Sequence, residues 1–302
     1  MVTMKETDIS SSKKGSLKSK VVSFYKLTKP GITLYVMLTA GASHYVAVQG
    51  NVIPQTLVAT LVGILLGSAG SLSLNQYLER DLDALMIRTR SRPLPSGHLK
   101  PYEALLFGVT LVLVGTVYLT LTVGRLPASL MALSAGIYLF VYTPLKTRSY
   151  LATLVGAIPG ALPVLIGWSA ATGSIEFGSV LIFGIAFLWQ LPHVLALSWL
   201  LREDYSRVGF LLTPPTDPQG KRIGRHMVYH SASLLFVSGL PTLIGMTGGL
   251  YLLGAVILGV VTLTLSVLAA MNMSEVSARK IFLWSLLYQP FLLSLLLIDS
   301  IR

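Results

Sequence analysis

Long apolar segments, each of the length that crosses a membrane, dominate this 302-residue chain. A helix needs about 20 apolar residues to span the hydrocarbon layer. Only 12% of the residues are charged and the mean hydropathy is +0.71, whereas soluble domains carry about a quarter charged residues. The sequence therefore predicts an all-α, polytopic membrane protein of about nine transmembrane helices. These segments run at about 31–48, 52–74, 103–123, 126–143, 151–170, 178–201, 227–246, 249–271 and 281–298.

The distribution of basic residues predicts the topology. Of the 23 Lys and Arg residues, 21 fall in the N-terminal region or in alternate connections between the apolar segments. The positive-inside rule then places the N-terminus in the cytoplasm and the C-terminus outside. The net charge of +11 thus reflects topology and contact with the lipid bilayer, and it gives no reason to expect a nucleic acid partner. We expect a disordered basic cytoplasmic tail over 1–25 and a single transmembrane domain over 26–302.

The second apolar segment ends in a polar string that has the pattern of a magnesium site. If the helix continues to about Asp83, then Asn75, Glu79 and Asp83 lie four residues apart on one face. Mg²⁺ typically binds one or two carboxylates together with water and substrate phosphate oxygens. Arg88 and Arg92 follow, and guanidinium groups suit the oxygens of a diphosphate. The alternative interpretation is a solvated cluster of salt bridges.

The sixth apolar segment also carries polar residues and ends in carboxylates. Asp204 follows it on the predicted cytoplasmic side and would add a second acidic mouth that faces the same water. Trp189, Gln190 and His193 lie deeper within the segment, where polar groups usually face a cavity or a partner helix. Alternatively, His193 serves only to satisfy the carbonyl that Pro192 leaves free.

Together these strings resemble the UbiA-type intramembrane prenyltransferases. Within that superfamily, the branch that prenylates heme is the most similar, at 27–31, 142–143, 156–168, 189–193 and 204–209, and the likeness extends from about 24 to 230 and more weakly to the end. The residues that match the aspartate-rich motif of the superfamily are Asn75, Asp83, Arg88, Thr89, Arg92 and Pro93.

This sequence departs from the family pattern at three places. Glu79 replaces the usual Asp, which lengthens the ligand by one methylene group. Phe210 begins a run that differs from the usual Pro-Met-Leu-Pro-like string, and no Asn follows Lys146. These departures concern substrate contacts more than the chemistry.

The resemblance implies a Mg²⁺-dependent enzyme that transfers farnesyl from farnesyl diphosphate to a vinyl group of protoheme IX, which yields heme O. It implies a multi-pass protein of the cell membrane, with heme A synthase or terminal oxidase assembly proteins as partners. The implied residues are Asn75, Glu79, Asp83 and Asp204 for catalysis and metal binding, Arg88, Arg92, Lys146 and Arg148 for the diphosphate, and Trp189, Gln190 and His193 for heme.

Other functions remain open at this point. A prenyltransferase that acts on a quinone precursor, such as 4-hydroxybenzoate or a naphthoate, would share the diphosphate site and differ only at the acceptor. A secondary transporter also carries intramembrane polar residues, although the charged residues here cluster at one face. A membrane subunit that only binds heme is disfavoured, since paired histidines at matching depths are scarce.

Overall fold

The computed structural model describes residues 17–212 and 217–300, and every regular element within them is helical, which confirms the all-α prediction. A π-helical stretch (Ile137–Tyr142) joins α6 to α7. The helices are α1 (Leu17–Leu27), α2 (Pro30–Ala47), α3 (Pro54–Leu78), α4 (Arg80–Leu85), α5 (Pro101–Thr122), α6 (Arg125–Gly136), α7 (Thr143–Leu145), α8 (Ala152–Thr172), α9 (Phe177–Leu200), α10 (Arg202–Arg207), α11 (Lys221–Leu243), α12 (Gly249–Met271) and α13 (Glu275–Asp299).

Seven helical stretches among the described residues are long and apolar enough to cross a membrane. They are α3, α5, the continuous stretch Arg125–Leu145, α8, α9, α12 and α13. The protein is therefore a multi-pass membrane protein. Helices α2 and α11 coincide with the two remaining predicted segments but are not among these seven, so the count of nine and the orientation of the termini stay predictions.

The N-terminal region is more ordered than the sequence predicts. Residues 17–25 belong to α1, so the prediction of a disordered tail is wrong for this part, while residues 1–16 lie outside the described residues. The last residue of α1, Leu27, is completely buried, and the Gln76 side chain donates a hydrogen bond of 2.9 Å to its carbonyl oxygen. This apolar anchor and the interhelix hydrogen bond attach α1 to α3.

Close contact between α3 and α5 fixes the helix that carries the polar string. A methyl group on Gly70 would lie 2.7 Å from the carbonyl oxygen of Gly108, and one on Gly115 would lie 2.8 Å from the amide nitrogen of Gly67. Small residues at such a crossing allow two helix backbones to touch, which is a common way to pack helices within a membrane. The C-terminal end of α3 is thereby held in place.

Candidate functional site

A cavity of about 570 Å³ opens at the C-terminal end of α3. Most of its lining residues are polar or charged, and Tyr142 and Phe210 also bound it. Six of the residues that the sequence analysis singled out line this cavity: Asn75, Glu79, Asp83, Arg88, Arg92 and Lys146.

The oxygen-bearing side chains stay on one face because the backbone hydrogen bonds continue through the helix break. Helix α3 ends at Leu78 and α4 begins at Arg80, yet the Glu79 amide donates to the Asn75 carbonyl at 3.0 Å and the Asp83 amide donates to the Glu79 carbonyl at 2.7 Å. Asn75, Glu79 and Asp83 are no more than 5% exposed. Such burial disfavours the alternative of a solvated surface cluster.

Each carboxylate of the cavity has its own cationic partner. Nζ of Lys146 lies 2.6 Å from Oε1 of Glu79. One guanidinium nitrogen of Arg92 lies 2.8 and 2.7 Å from the two carboxylate oxygens of Asp83. Removing one partner of such a pair would leave a buried charge uncompensated, which typically costs about 3–5 kcal/mol.

Lys146 remains charged despite its burial. Burial by itself disfavours the ammonium form, but Tyr142 and the Glu79 carboxylate outweigh this effect and raise the pKa of Lys146 above its usual value. The ammonium group also lies 4.6 Å from the ring centroid of Tyr142 and 5.4 Å from that of Phe210. The cavity therefore contains a fixed positive charge.

Lys29 is a residue of this cavity that the sequence analysis did not select. It joins α1 to α2 in a left-handed conformation (φ 45°), directly before Pro30, and its Nζ donates to Oδ1 of Asn75 at 3.3 Å. Burial, together with the positive charges of Arg92 and Lys146, lowers the pKa of Lys29 to about 7. The Lys-Pro-Gly string at 29–31 was the available signal, since it lies within the family resemblance.

Asp204, predicted to form a second acidic mouth, is not among the residues that line the cavity, but it contacts the turn beside it. Its carboxylate accepts hydrogen bonds from the backbone amides of Ile87 and Arg88, at 3.1 and 3.2 Å. It does not line the cavity, because α10 directs it toward the turn that follows α4. Asp204 thus fixes the turn that carries Arg88. Arg148, predicted to bind the diphosphate, is exposed and also lies outside the cavity lining.

An apolar chamber of about 250 Å³ adjoins the charged cavity, and Ile32, Tyr138 and Tyr142 line both. Helices α2, α3, α6, α8 and α9 contribute the remaining walls. The distal wall includes Ile166, which lies about three helical turns from Gly156 along α8. The arrangement suits a ligand with a charged head and an apolar tail.

Only one of the three predicted heme contacts lines this chamber. Gln190 does so, and its side-chain amide donates to the carbonyl of Ala186 at 2.9 Å. Trp189 and His193 instead face α13, where the indole donates to the Ser285 carbonyl at 2.9 Å and Nδ1 of the imidazole lies 2.7 Å from the Ser285 hydroxyl oxygen. Two of the three residues predicted to contact heme therefore lie on the side of α9 that packs against α13.

The contact with Ser285 also bears on the alternative interpretation of His193, in which its side chain bonds the carbonyl that Pro192 leaves free. Its imidazole is hydrogen-bonded to Ser285 and stacked against Trp189 and Phe282, with ring centroids 5.4 and 5.0 Å away. Its side-chain partner is thus a hydroxyl on another helix, not the carbonyl that Pro192 leaves free. His193 connects α9 to α13.

The donor set fits a magnesium ion that arrives with a phosphate ligand. The cavity supplies one amide and two carboxylate side chains from Asn75, Glu79 and Asp83. No cluster of three or more His, Cys, Asp or Glu within residues 17–212 and 217–300 forms a complete protein cage for a metal. Mg²⁺ in proteins is usually bound by one or two carboxylates and completed by water and substrate phosphates.

Comparison with known proteins gives consistent matches over most of the chain. The family model described as the UbiA prenyltransferase family matches residues 36–287. Protoheme IX farnesyltransferase from Solibacter usitatus is 40% identical over 285 residues, which cover 91% of this chain and 98% of that protein. The protein of the same name from Aquifex aeolicus is 36% identical over 280 residues, with 91% and 94% covered.

Solved structures share the fold at low sequence identity. A digeranylgeranylglyceryl phosphate synthase superimposes with a TM-score of 0.79 at 16% identity, covering 93% of this chain and 99% of that one. A UbiA homolog from Archaeoglobus fulgidus, solved with GPP and Mg²⁺, gives a TM-score of 0.61 at 14% identity, covering 91% and 99%.

Proposed function

Because the chain belongs to the UbiA prenyltransferase family, we propose that it transfers a farnesyl group from farnesyl diphosphate to a vinyl group of protoheme IX, which yields heme O. One observation supports the transfer above all: a cavity of paired buried charges adjoins an apolar chamber, and three residues line both. The choice of acceptor is supported by the relatives, which carry the name protoheme IX farnesyltransferase at 32–40% identity.

The cations of the cavity would bind the diphosphate. Lys29, Arg92 and Lys146 surround one volume, and Arg88 lies on its rim. When the C–O bond breaks, the electron pair leaves with the diphosphate, whose charge rises. Fixed positive groups at that place stabilise the transition state more than the ground state, which is the requirement for acceleration.

Asn75, Glu79 and Asp83 are the proposed magnesium ligands. A bound Mg²⁺ would supply Lewis acidity to the phosphate oxygens. Lys146 and Arg92 neutralise the two carboxylates in the structure, and both cations would be available to the phosphate if Glu79 and Asp83 held the metal. The Archaeoglobus fulgidus homolog, which was solved with GPP and Mg²⁺, supports the choice of magnesium as the metal.

The chamber would hold the farnesyl tail and exclude water from the allylic carbon. Side chains such as Val36, Leu72 and Ile166 supply an apolar wall. The vinyl π electrons form the new C–C bond with the allylic carbon, which leaves a cation on the vinyl carbon next to the porphyrin. Water adds to that cation and releases a proton, which gives the hydroxyethylfarnesyl group. The vinyl group supplies the electrons itself, so no strong base is needed.

The cellular context is also proposed from these features. We place the protein in the cell membrane, with the cavity toward the cytoplasm, because the basic residues cluster in the segments predicted to be cytoplasmic. The catalytic domain is proposed to span 26–302. Heme A synthase and the assembly proteins of a terminal oxidase are the proposed partners, since they would use the product.

Mass spectrometry of heme tests this function. Purified protein is incubated with farnesyl diphosphate, Mg²⁺ and protoheme IX, and the extracted heme should gain one farnesyl group and one hydroxyl group. A parallel reaction offers 4-hydroxybenzoate in place of heme. Unmodified heme together with prenylated 4-hydroxybenzoate would overturn the proposed acceptor in favour of a quinone precursor.

A further inference from the structure

A second cavity, of about 200 Å³, lies among α8, α9 and α11, outside the charged cavity and the chamber. Its surface is mainly aliphatic, and at one edge, called here the positive edge, lie the Arg222 guanidinium and the His226 imidazole, which can donate a hydrogen bond. Thr153, which is buried, lines both this cavity and the chamber. The aliphatic side chains are Leu151, Leu154, Leu195, Leu212 and Ile223.

The positive edge is held in place by the start of α11. The Asp217 carboxylate accepts hydrogen bonds from the backbone amides of Arg222 and Ile223, at 2.7 and 3.1 Å, and so fixes the first turn. Arg222 and His226 are four residues apart and therefore share a helix face. Among the residues that the structure describes, no carboxylate forms a salt bridge with either side chain. The edge can therefore accept an anionic group from a ligand.

The cavity is smaller than a porphyrin, but its surroundings are apolar. Leu151 is 58% exposed and Leu154 is 37% exposed, so these two side chains extend the aliphatic surface beyond the cavity. A ligand that is flat and apolar with carboxylates at one edge would cover this surface and place its charges at Arg222 and His226. Protoheme IX has this chemistry.

We propose that this cavity is the acceptor site and that Arg222 and His226 bind the propionates of protoheme IX. The propionates leave the macrocycle at the edge opposite to the vinyl groups. Anchoring them at α11 therefore directs the vinyl edge toward Thr153, at the wall of the chamber. The inference rests on the proposed function, because it identifies the acceptor as heme.

Absorbance titration of the full-length protein in lipid nanodiscs tests the site, with protoheme IX and its dimethyl ester as probes. The ester keeps the macrocycle but lacks both carboxylate charges. The double variant R222A/H226A should bind protoheme IX about tenfold or more weakly, since charge-assisted hydrogen bonds are lost. It should bind the ester as the unmodified protein does.

R225A is the matched control, because Arg225 is exposed on the same helix but does not line the cavity. It should leave the affinity for protoheme IX unchanged, and neither variant should alter the affinity for farnesyl diphosphate. An unchanged heme affinity in R222A/H226A would overturn the site. So would equal affinity of the unmodified protein for protoheme IX and its ester, a measurement that depends on no variant.

The outcomes separate this site from the proposed function. If the unmodified protein farnesylates heme while R222A/H226A binds heme normally, the function stands and the site is wrong. If the unmodified protein leaves heme unmodified, the proposed function fails, whatever the titrations show.

Discussion

The ammonium group of Lys146 lies 2.6 Å from the carboxylate of Glu79, and both side chains are at least nine-tenths buried. Two elements distant in sequence, the break after α3 and the end of α7, meet in this pair. In the structure the pair neutralises itself within the cavity. A metal diphosphate brings both a cation and an anion. Its cation can pair with Glu79 and its anion with Lys146, so neither side chain is left with an unpaired charge.

We expect that K146M destabilises the protein and that the double variant E79Q/K146M is more stable than K146M. K146M leaves the Glu79 carboxylate buried without its cation, at a cost of about 3–5 kcal/mol, whereas the double variant removes both charges. Thermal denaturation in one detergent measures the order. Prenyl transfer should be lost in both variants. A lower denaturation temperature for the double variant than for K146M would show that the two groups do not act as a pair.

D83N should reduce prenyl transfer about 10²-fold or more, because it removes a charged ligand needed as the leaving group departs. Asp83 is completely buried, while Asp81 on the same short helix is 84% exposed and faces solvent. D81N is therefore the matched control and should retain full activity. Initial rates over a range of Mg²⁺ concentrations provide the measurement. Near-normal turnover of D83N at saturating Mg²⁺ would remove Asp83 from the ligand set.

K29G should weaken the binding of farnesyl diphosphate without destabilising the protein. Glycine adopts the left-handed backbone of position 29 without strain, so this variant removes the ammonium group and relaxes the backbone together. K18G, at an exposed position of α1, is the control for loss of one positive charge. We expect an increase in KM of about tenfold for K29G, as for a lost charge-assisted contact. An unchanged KM would exclude Lys29 from the diphosphate site.

The sequence predicted the fold and the charged cavity well because both depend on local patterns. Apolar segments predict the helices, and the spacing of Asn75, Glu79 and Asp83 predicts a shared face that the structure retains across the break at Glu79. These features need only helical periodicity. The pairing of Glu79 with Lys146 depends on tertiary contact and is not visible in the spacing.

The predictions that differ from the structure involve the direction of a side chain. Trp189 and His193 lie one and three residues from Gln190, yet of the three only Gln190 lines the chamber, because the helix is apolar on all sides and its sequence does not mark which face turns inward. Asp204 resembles an acidic ligand in sequence, but a new helix begins at Arg202 and redirects it.

V36F should shorten the chamber and select smaller donors. Val36 lies one turn beyond Ile32 on α2, and Ile32 lines both the chamber and the charged cavity. A larger side chain there overfills a wall at a cost of about 1–3 kcal/mol, so kcat/KM for farnesyl diphosphate should fall about tenfold while dimethylallyl diphosphate binds normally. L38F adds the same ring at a position that is 60% exposed and should have no effect. Equal losses for both donors would place the tail elsewhere.

D204N distinguishes the role that the structure gives Asp204 from the role of a metal ligand. The Ile87 and Arg88 amides bind different oxygens of the carboxylate, so the amide of D204N keeps an acceptor for one of these hydrogen bonds and loses the other together with the charge. If Asp204 only positions the turn, the D204N variant should lower turnover by less than tenfold, because a neutral hydrogen bond contributes about 1 kcal/mol. The variant should also leave the Mg²⁺ dependence of the rate unchanged. D204A, which removes the acceptor, should lower turnover further and raise the KM for farnesyl diphosphate through displacement of Arg88. Rates over a range of Mg²⁺ concentrations distinguish the two roles. If Asp204 were a metal ligand, D204N would shift the half-saturating Mg²⁺ concentration as strongly as D83N does.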